Sequence, residues 1–65
     1  MNRSEMKVRM QELLAENVDW EAEELSDHFT WNVMLDTPFS ESAMQKRYDM
    51  SKDEILELAV EVYAQ

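Results

Sequence analysis

Fifteen carboxylates, one histidine and no cysteine are what this 65-residue chain offers to chemistry. His28 follows Glu24 by one helical turn and adjoins Asp27. Two ligands at that spacing can face one metal, but a site needs three or four ligands and a shell that orients them. No second histidine or any thiolate is present to complete the set. The expectation is therefore a solvated or half-buried His28 paired with Glu24, with no metal and no cofactor. Carboxylate pairs could also serve as general acid and base, provided a pocket moves one of their pKa values. A chain of this length has little interior in which to build such a pocket. With no glycine, there is no loop to cradle phosphate on bare backbone amides, and the alternating calcium-loop pattern is missing as well. No recognisable nucleophile-and-base motif, Walker motif or dinucleotide fingerprint is present. The chain reads as a non-enzyme.

The charge is more informative than any single group. Between Met10 and Gln45 lie nine acids (Glu12, Glu16, Asp19, Glu21, Glu23, Glu24, Asp27, Asp36, Glu41) and no lysine or arginine. The other six acids are matched by six bases, so the whole net charge of −9 resides in the middle of the chain. Such a block repels phosphates and anionic membranes and speeds encounter with basic surfaces. Two tryptophans are set into it. If the segment after Asp19 is helical as far as Trp31, then Trp20, Glu24, Asp27 and Trp31 share one ridge, with Glu23 beside it. That ridge stands roughly 140° to 180° away from the apolar stripe Val18, Ala22, Leu25 and Phe29. Tryptophans ringed by polar groups are what interface hot spots look like, although in a small bundle both could be core. The candidate partner-binding residues are Glu16, Asp19, Trp20, Glu23, Glu24, Asp27 and Trp31.

Placing these residues falls to helices. Absence of glycine and a single proline disfavour tight hairpins. A first helix runs from a cap at Ser4 to Glu16 and buries Met6, Met10, Leu13 and Leu14. A second opens at Asp19, with acids in its first turn where the helix dipole favours them, and carries its stripe towards Val33. The two stripes are offset by roughly 100°, so the chain must turn near Asn17. Thr37-Pro38, or Ser40, caps a short third helix ending near Tyr48. Ser51-Lys52-Asp53-Glu54 has capping-box spacing ahead of Ile55, Leu58, Ala59 and Val62, which places a fourth helix over Lys52 to Tyr63 with Glu54, Glu57 and Glu61 on its opposite ridge. The expected fold is all-α, a compact three- or four-helix bundle in one domain, 1–65. The alternative is α+β, with a two-stranded element from Met6–Met10 and Phe29–Leu35, because both segments also alternate apolar with polar residues. Met6, Met10, Met34, Met44 and Met50 suit adaptable packing or adaptable binding.

Gln45 to Ile55 resembles the turn and second-helix start of a helix-turn-helix, with Asp49 where glycine is usual. The helix that would enter DNA presents Asp53, Glu54, Glu57 and Glu61, and DNA affinity depends on neutralising phosphates. An ordinary packing corner is expected. In size, acidity and lack of catalytic motifs the chain resembles small phage-encoded inhibitors, including anti-CRISPR proteins and other DNA mimics. That resemblance rests on general character over the whole chain. It implies an inhibitor that occupies a basic surface of a partner protein, such as that of a nucleic-acid-binding complex, without binding nucleic acid or membrane itself. Glu12 and Glu16 on one helix, then Asp19, Glu23 and Asp27 on the next, would form phosphate-like rows at steps of roughly 6 Å. A different class of function is a helical homodimer, or a regulatory subunit that folds on its partner, using apolar contacts while the acids only confer solubility. Lack of cysteine, of an apolar leader in Met1 to Glu5 and of a membrane-length apolar run predicts a cytoplasmic protein, in the host cytoplasm if phage-encoded.

Overall fold

A computed structural model describes residues 1–36 and 41–65, with side chains described except at 32–36 and 41. Four helices follow one another: α1 (Arg3–Glu16), α2 (Ala22–Asp36), α3 (Glu41–Tyr48) and α4 (Lys52–Tyr63). There is no strand among the described residues, so the α+β alternative is corrected. Met6 and Met10 are fully buried and Val8 is exposed, as a helical face requires and an alternating strand face forbids. The segment 29–35 continues α2.

Each boundary has a local cause. The cap of α1 is Asn2, whose side chain accepts from the Glu5 N–H at 2.9 Å, two residues earlier than the Ser4 expected. At the other end the Asn17 backbone N–H donates to the Leu13 carbonyl at 2.8 Å and its side-chain amide does the same at 2.9 Å. The Trp20 N–H then donates to the Asn17 carbonyl, closing a turn through Val18 and Asp19. That turn corrects the start of α2: Asp19 is not its cap, and Val18, 89% exposed, is not in its stripe. The cap position belongs to Glu21, whose carbonyl accepts from the Leu25 N–H at 3.1 Å and whose N–H donates to Glu24 Oε2 at 2.9 Å. This is the reciprocal half of a capping box. The caps expected for α3 at Thr37 and Ser40 lie outside the described residues.

α3 ends at Asp49, which adopts φ 57°, the left-handed conformation that commonly closes helices. Its N–H donates to the Gln45 carbonyl at 2.8 Å. The glycine-like position read from the sequence is thus a real left-handed one held by aspartate, a residue that tolerates it better than most. Two residues on, Ser51 and Glu54 complete a full capping box, and α4 runs over the span expected.

The core collects Met6, Met10 and Leu13 from α1, Leu25 and Phe29 from α2, and Met44 and Tyr48 from α3. Met50 joins them from the corner, with Ile55, Leu58, Ala59 and Val62 from α4. α4 is central: it packs most extensively on α2 and next on α1. Full burial of one large aliphatic side chain contributes about 1.5–3 kcal/mol, so the face of α4 that buries Ile55, Leu58 and Val62 is a substantial source of stability. Two polar links fasten this core. The Tyr48 hydroxyl donates to the Phe29 carbonyl at 2.8 Å, tying α3 to α2. Glu61 receives Arg3 at 2.7 Å and Lys7 at 3.5 Å, tying α4 to α1. The molecule measures 30 × 20 × 15 Å.

Candidate functional site

The outer face of α2 is where the acidic block meets the tryptophans. Because α2 buries Leu25, Ser26, Phe29 and Thr30, its 3.6-residue repeat turns Glu23, Glu24, Asp27 and Trp31 to solvent. Trp31 is 57% exposed, a large apolar surface that no neighbour covers among the described residues. Trp20, in the turn before α2, is half-buried and packs against the core. The sequence left open whether the tryptophans are core or interface. The answer differs for the two: one is anchored and one is displayed.

Between them lies an open groove of about 560 Å³ lined by Trp20, Glu24, Asp27, His28, Thr30, Trp31 and Lys52. Four of the seven residues singled out from sequence meet there: Trp20, Glu24, Asp27 and Trp31. Glu23 is exposed on the same helix but outside the groove lining. Glu16, the last residue of α1, and Asp19, in the turn, are exposed and also stand apart from it. Since α2 begins at Ala22, Asp19, Glu23 and Asp27 do not form one helical row. The expected phosphate-like series therefore loses Asp19, while Glu12 and Glu16 on α1, and Glu23 and Asp27 on α2, remain exposed at one-turn spacing.

His28, Thr30 and Lys52 complete the wall. Their roles were not legible from spacing along α2. Lys52 arrives from the first turn of α4, so only tertiary packing brings it there. Thr30 is buried and its hydroxyl donates to the Asp27 carbonyl at 3.3 Å, holding the backbone beneath the groove. His28 is half-buried with its ring centroid 5.8 Å from Trp20 and 5.2 Å from Phe29, the latter edge-on at 83°. Phe29 in turn meets Tyr48 edge-on at 5.9 Å and 86°. A chain of rings thus runs from Trp20 at the surface to Tyr48 in the core. Such edge-to-face pairs contribute about 0.5–1.5 kcal/mol each beyond area burial, which fixes the inner wall while Trp31 stays in solvent.

No protein-family model, curated protein or solved structure matches the chain.

The geometry itself defines what this surface can do. The carboxylates of Glu24 and Asp27 stand on adjacent turns, where side chains three apart are neighbours. Both are exposed. No group of three or more metal-ligating side chains occurs among the described residues. Past His28 and Phe29, a second concavity of about 380 Å³ is lined by Met1, Arg9, Arg47 and Tyr48. Another exposed apolar feature is on α4, where Leu56, Val60 and Tyr63 recur at one-turn spacing outside the core. No helix among the described residues is long and apolar enough to cross a membrane.

Proposed function

We propose that this protein is a non-catalytic binding module that docks the outer face of α2 on a basic surface of a partner protein. It acts as an inhibitor, in the anti-CRISPR or DNA-mimic manner, where that surface normally receives nucleic acid. The observation that carries the reading is the groove: two indoles bracket two exposed carboxylates inside a stretch of chain that contains no lysine or arginine from Gln11 to Met44. An exposed tryptophan among acids supplies both parts of a hot spot, apolar area and charge complementarity. The same charge turns nucleic acid and anionic membrane away, so the partner is a protein. A phage-encoded inhibitor of this kind works in the host cytoplasm.

The test is an affinity capture from the native host followed by a salt titration of the complex with the captured partner. Charge-led docking loses affinity steeply as ionic strength rises. Reversal of Glu23 and Asp27 together lowers affinity while leaving helicity intact. Binding that ignores both salt and reversal refutes the reading.

A second reading has its own observation in the α4 stripe of Leu56, Val60 and Tyr63. A helical homodimer or partner-folded subunit would cover that stripe, and the acids would only confer solubility. Light scattering separates the two: a dimer whose interface is lost on Val60→Glu supports the second, and a monomer with exposed Trp31 supports the first.

A further inference from the structure

We propose that the groove between Trp20 and Trp31 is a receptor for an arginine side chain of the partner, selecting guanidinium over ammonium. This rests on the basic-partner reading above and goes one level deeper, from a charged surface to one chemical group. Three features of the groove converge on that group. Its ends are indoles, Trp31 with a solvent-exposed face and Trp20 held in place by His28 and the core. Its lining includes the exposed Glu24 and Asp27 carboxylates on adjacent turns. Its volume of about 560 Å³ exceeds one side-chain tip and accommodates the tip together with flanking backbone.

An uncharged apolar occupant would strip water from Asp27 and from the Glu24 lone pairs that the Glu21 N–H does not satisfy, which is costly. A compact ammonium would satisfy the carboxylates but gains little from the indoles, because it is strongly hydrated and has no plane to stack. A guanidinium meets both demands. It is planar and weakly hydrated, it stacks on an indole face, and its forked donors match carboxylates in pairs. Lys52 at the rim leaves the groove with two carboxylates against one ammonium, so the field still favours a cation.

The probes are blocked hexa-arginine, hexa-lysine and hexa-trimethyllysine peptides, titrated into the full chain at low salt. The readouts are the dissociation constant and the indole N–H resonances, of which the chain has two because it has two tryptophans. Hexa-arginine is expected to bind about 5- to 20-fold tighter than hexa-lysine, with the Trp31 resonance moving most. In Trp31→Ala, which removes an exposed side chain, the two peptides are expected to bind alike and hexa-lysine to keep most of its affinity. Equal affinity in the parent protein, tighter binding of the trimethyllysine peptide, or arginine preference that survives Trp31→Ala each overturns the guanidinium receptor. In those outcomes salt-sensitive binding of the peptides leaves the basic-partner reading standing. Failure of every peptide to bind at low salt overturns both.

Discussion

Glu24 has two duties, and separating them is the sharpest test of how the acidic face is built. Its carboxylate lines the groove, and its Oε2 also accepts the Glu21 N–H at 2.9 Å, one of the otherwise orphaned donors at the start of α2. Glu24→Lys removes that acceptor, at a cost of about 1 kcal/mol within a range of about 0.5–2. It also exchanges a favourable charge in the first turn for an unfavourable one, about 0.3–1 kcal/mol in each direction. The sum is about 1.5–3 kcal/mol, against a total stability of about 3–10 kcal/mol for a chain of this length. Glu24→Gln keeps an amide oxygen for the Glu21 N–H and forfeits only the charge, so it loses about 0.3–1 kcal/mol. Glu23→Lys, at a position that caps nothing in the structure, reverses the charge without losing a hydrogen bond and so loses about 0.6–2 kcal/mol. Urea denaturation followed by circular dichroism, at low salt and neutral pH, ranks the three variants by midpoint. The order expected is Glu24→Lys lowest, Glu23→Lys next and Glu24→Gln nearest the parent. If Glu24→Gln falls as far as Glu24→Lys, the hydrogen bond is not what the side chain contributes and the half capping box is the wrong account. This ranking also governs the binding experiment. A triple reversal of Glu23, Glu24 and Asp27 would confound lost binding with a loosened helix start, which is why the reversal is placed at Glu23 and Asp27.

Two further outcomes follow from the fold. The Arg3 guanidinium, by hydrogen bond and by charge, holds the Glu61 carboxyl below its usual 4.5, with Lys7 adding to the shift and partial desolvation opposing it. A depressed folded-state value means stability that is present above about 4.5 and is lost as pH falls through the folded value. Glu61→Gln is therefore expected to be less stable than the parent at neutral pH, with the two denaturation midpoints converging below that value; a gap that persists unchanged into acid refutes the ion pair. At Asp49 the left-handed φ of 57° sets a different order: Asp49→Gly equals or exceeds the parent by up to about 1 kcal/mol, whereas Asp49→Val loses about 1–2 kcal/mol. Equal stability of the glycine and valine variants would show that the corner does not require that conformation.

What the sequence made legible was whatever a single helix decides by itself. The α4 span, its capping box and its buried face of Ile55, Leu58, Ala59 and Val62 are local, and all of them agree with the structure. The need for a turn near Asn17 was also legible, because two stripes out of phase cannot share one straight axis. The errors sit where two local signals competed. Ser4 and Asp19 are good cap types, but Asn2 lies one turn upstream of Met6 and takes the first role. Asp19 was used up in the turn, leaving Glu21 to cap α2 with its backbone. Placing Val18 in the α2 stripe followed from starting that helix too early. In the site, residues on one ridge were found by periodicity, whereas Lys52 was not, since no period along α2 can name a residue from α4.

The strand alternative shows why burial, more than propensity, decided the fold. Met6 to Met10 and Phe29 to Leu35 each alternate apolar and polar types, and a strand pairing between them would set Met6, Val8 and Met10 on one face. In the helix, Val8 goes to solvent and Leu13 joins Met6 and Met10 instead. The exchange favours the helix because Leu13 brings a larger side chain into a core already shared with α4, while a two-stranded ribbon would leave the apolar face of α4 without a partner of matching shape. The same choice created the site. Had the segment after Phe29 been extended, Trp31 would have shared a face with Phe29 and been drawn towards the core. As a helix, α2 sends Phe29 inward to Tyr48 and Trp31 outward beside Asp27. The display of an indole among carboxylates is thus a consequence of the helical fold, and the acidic block acquires an apolar contact where it faces solvent.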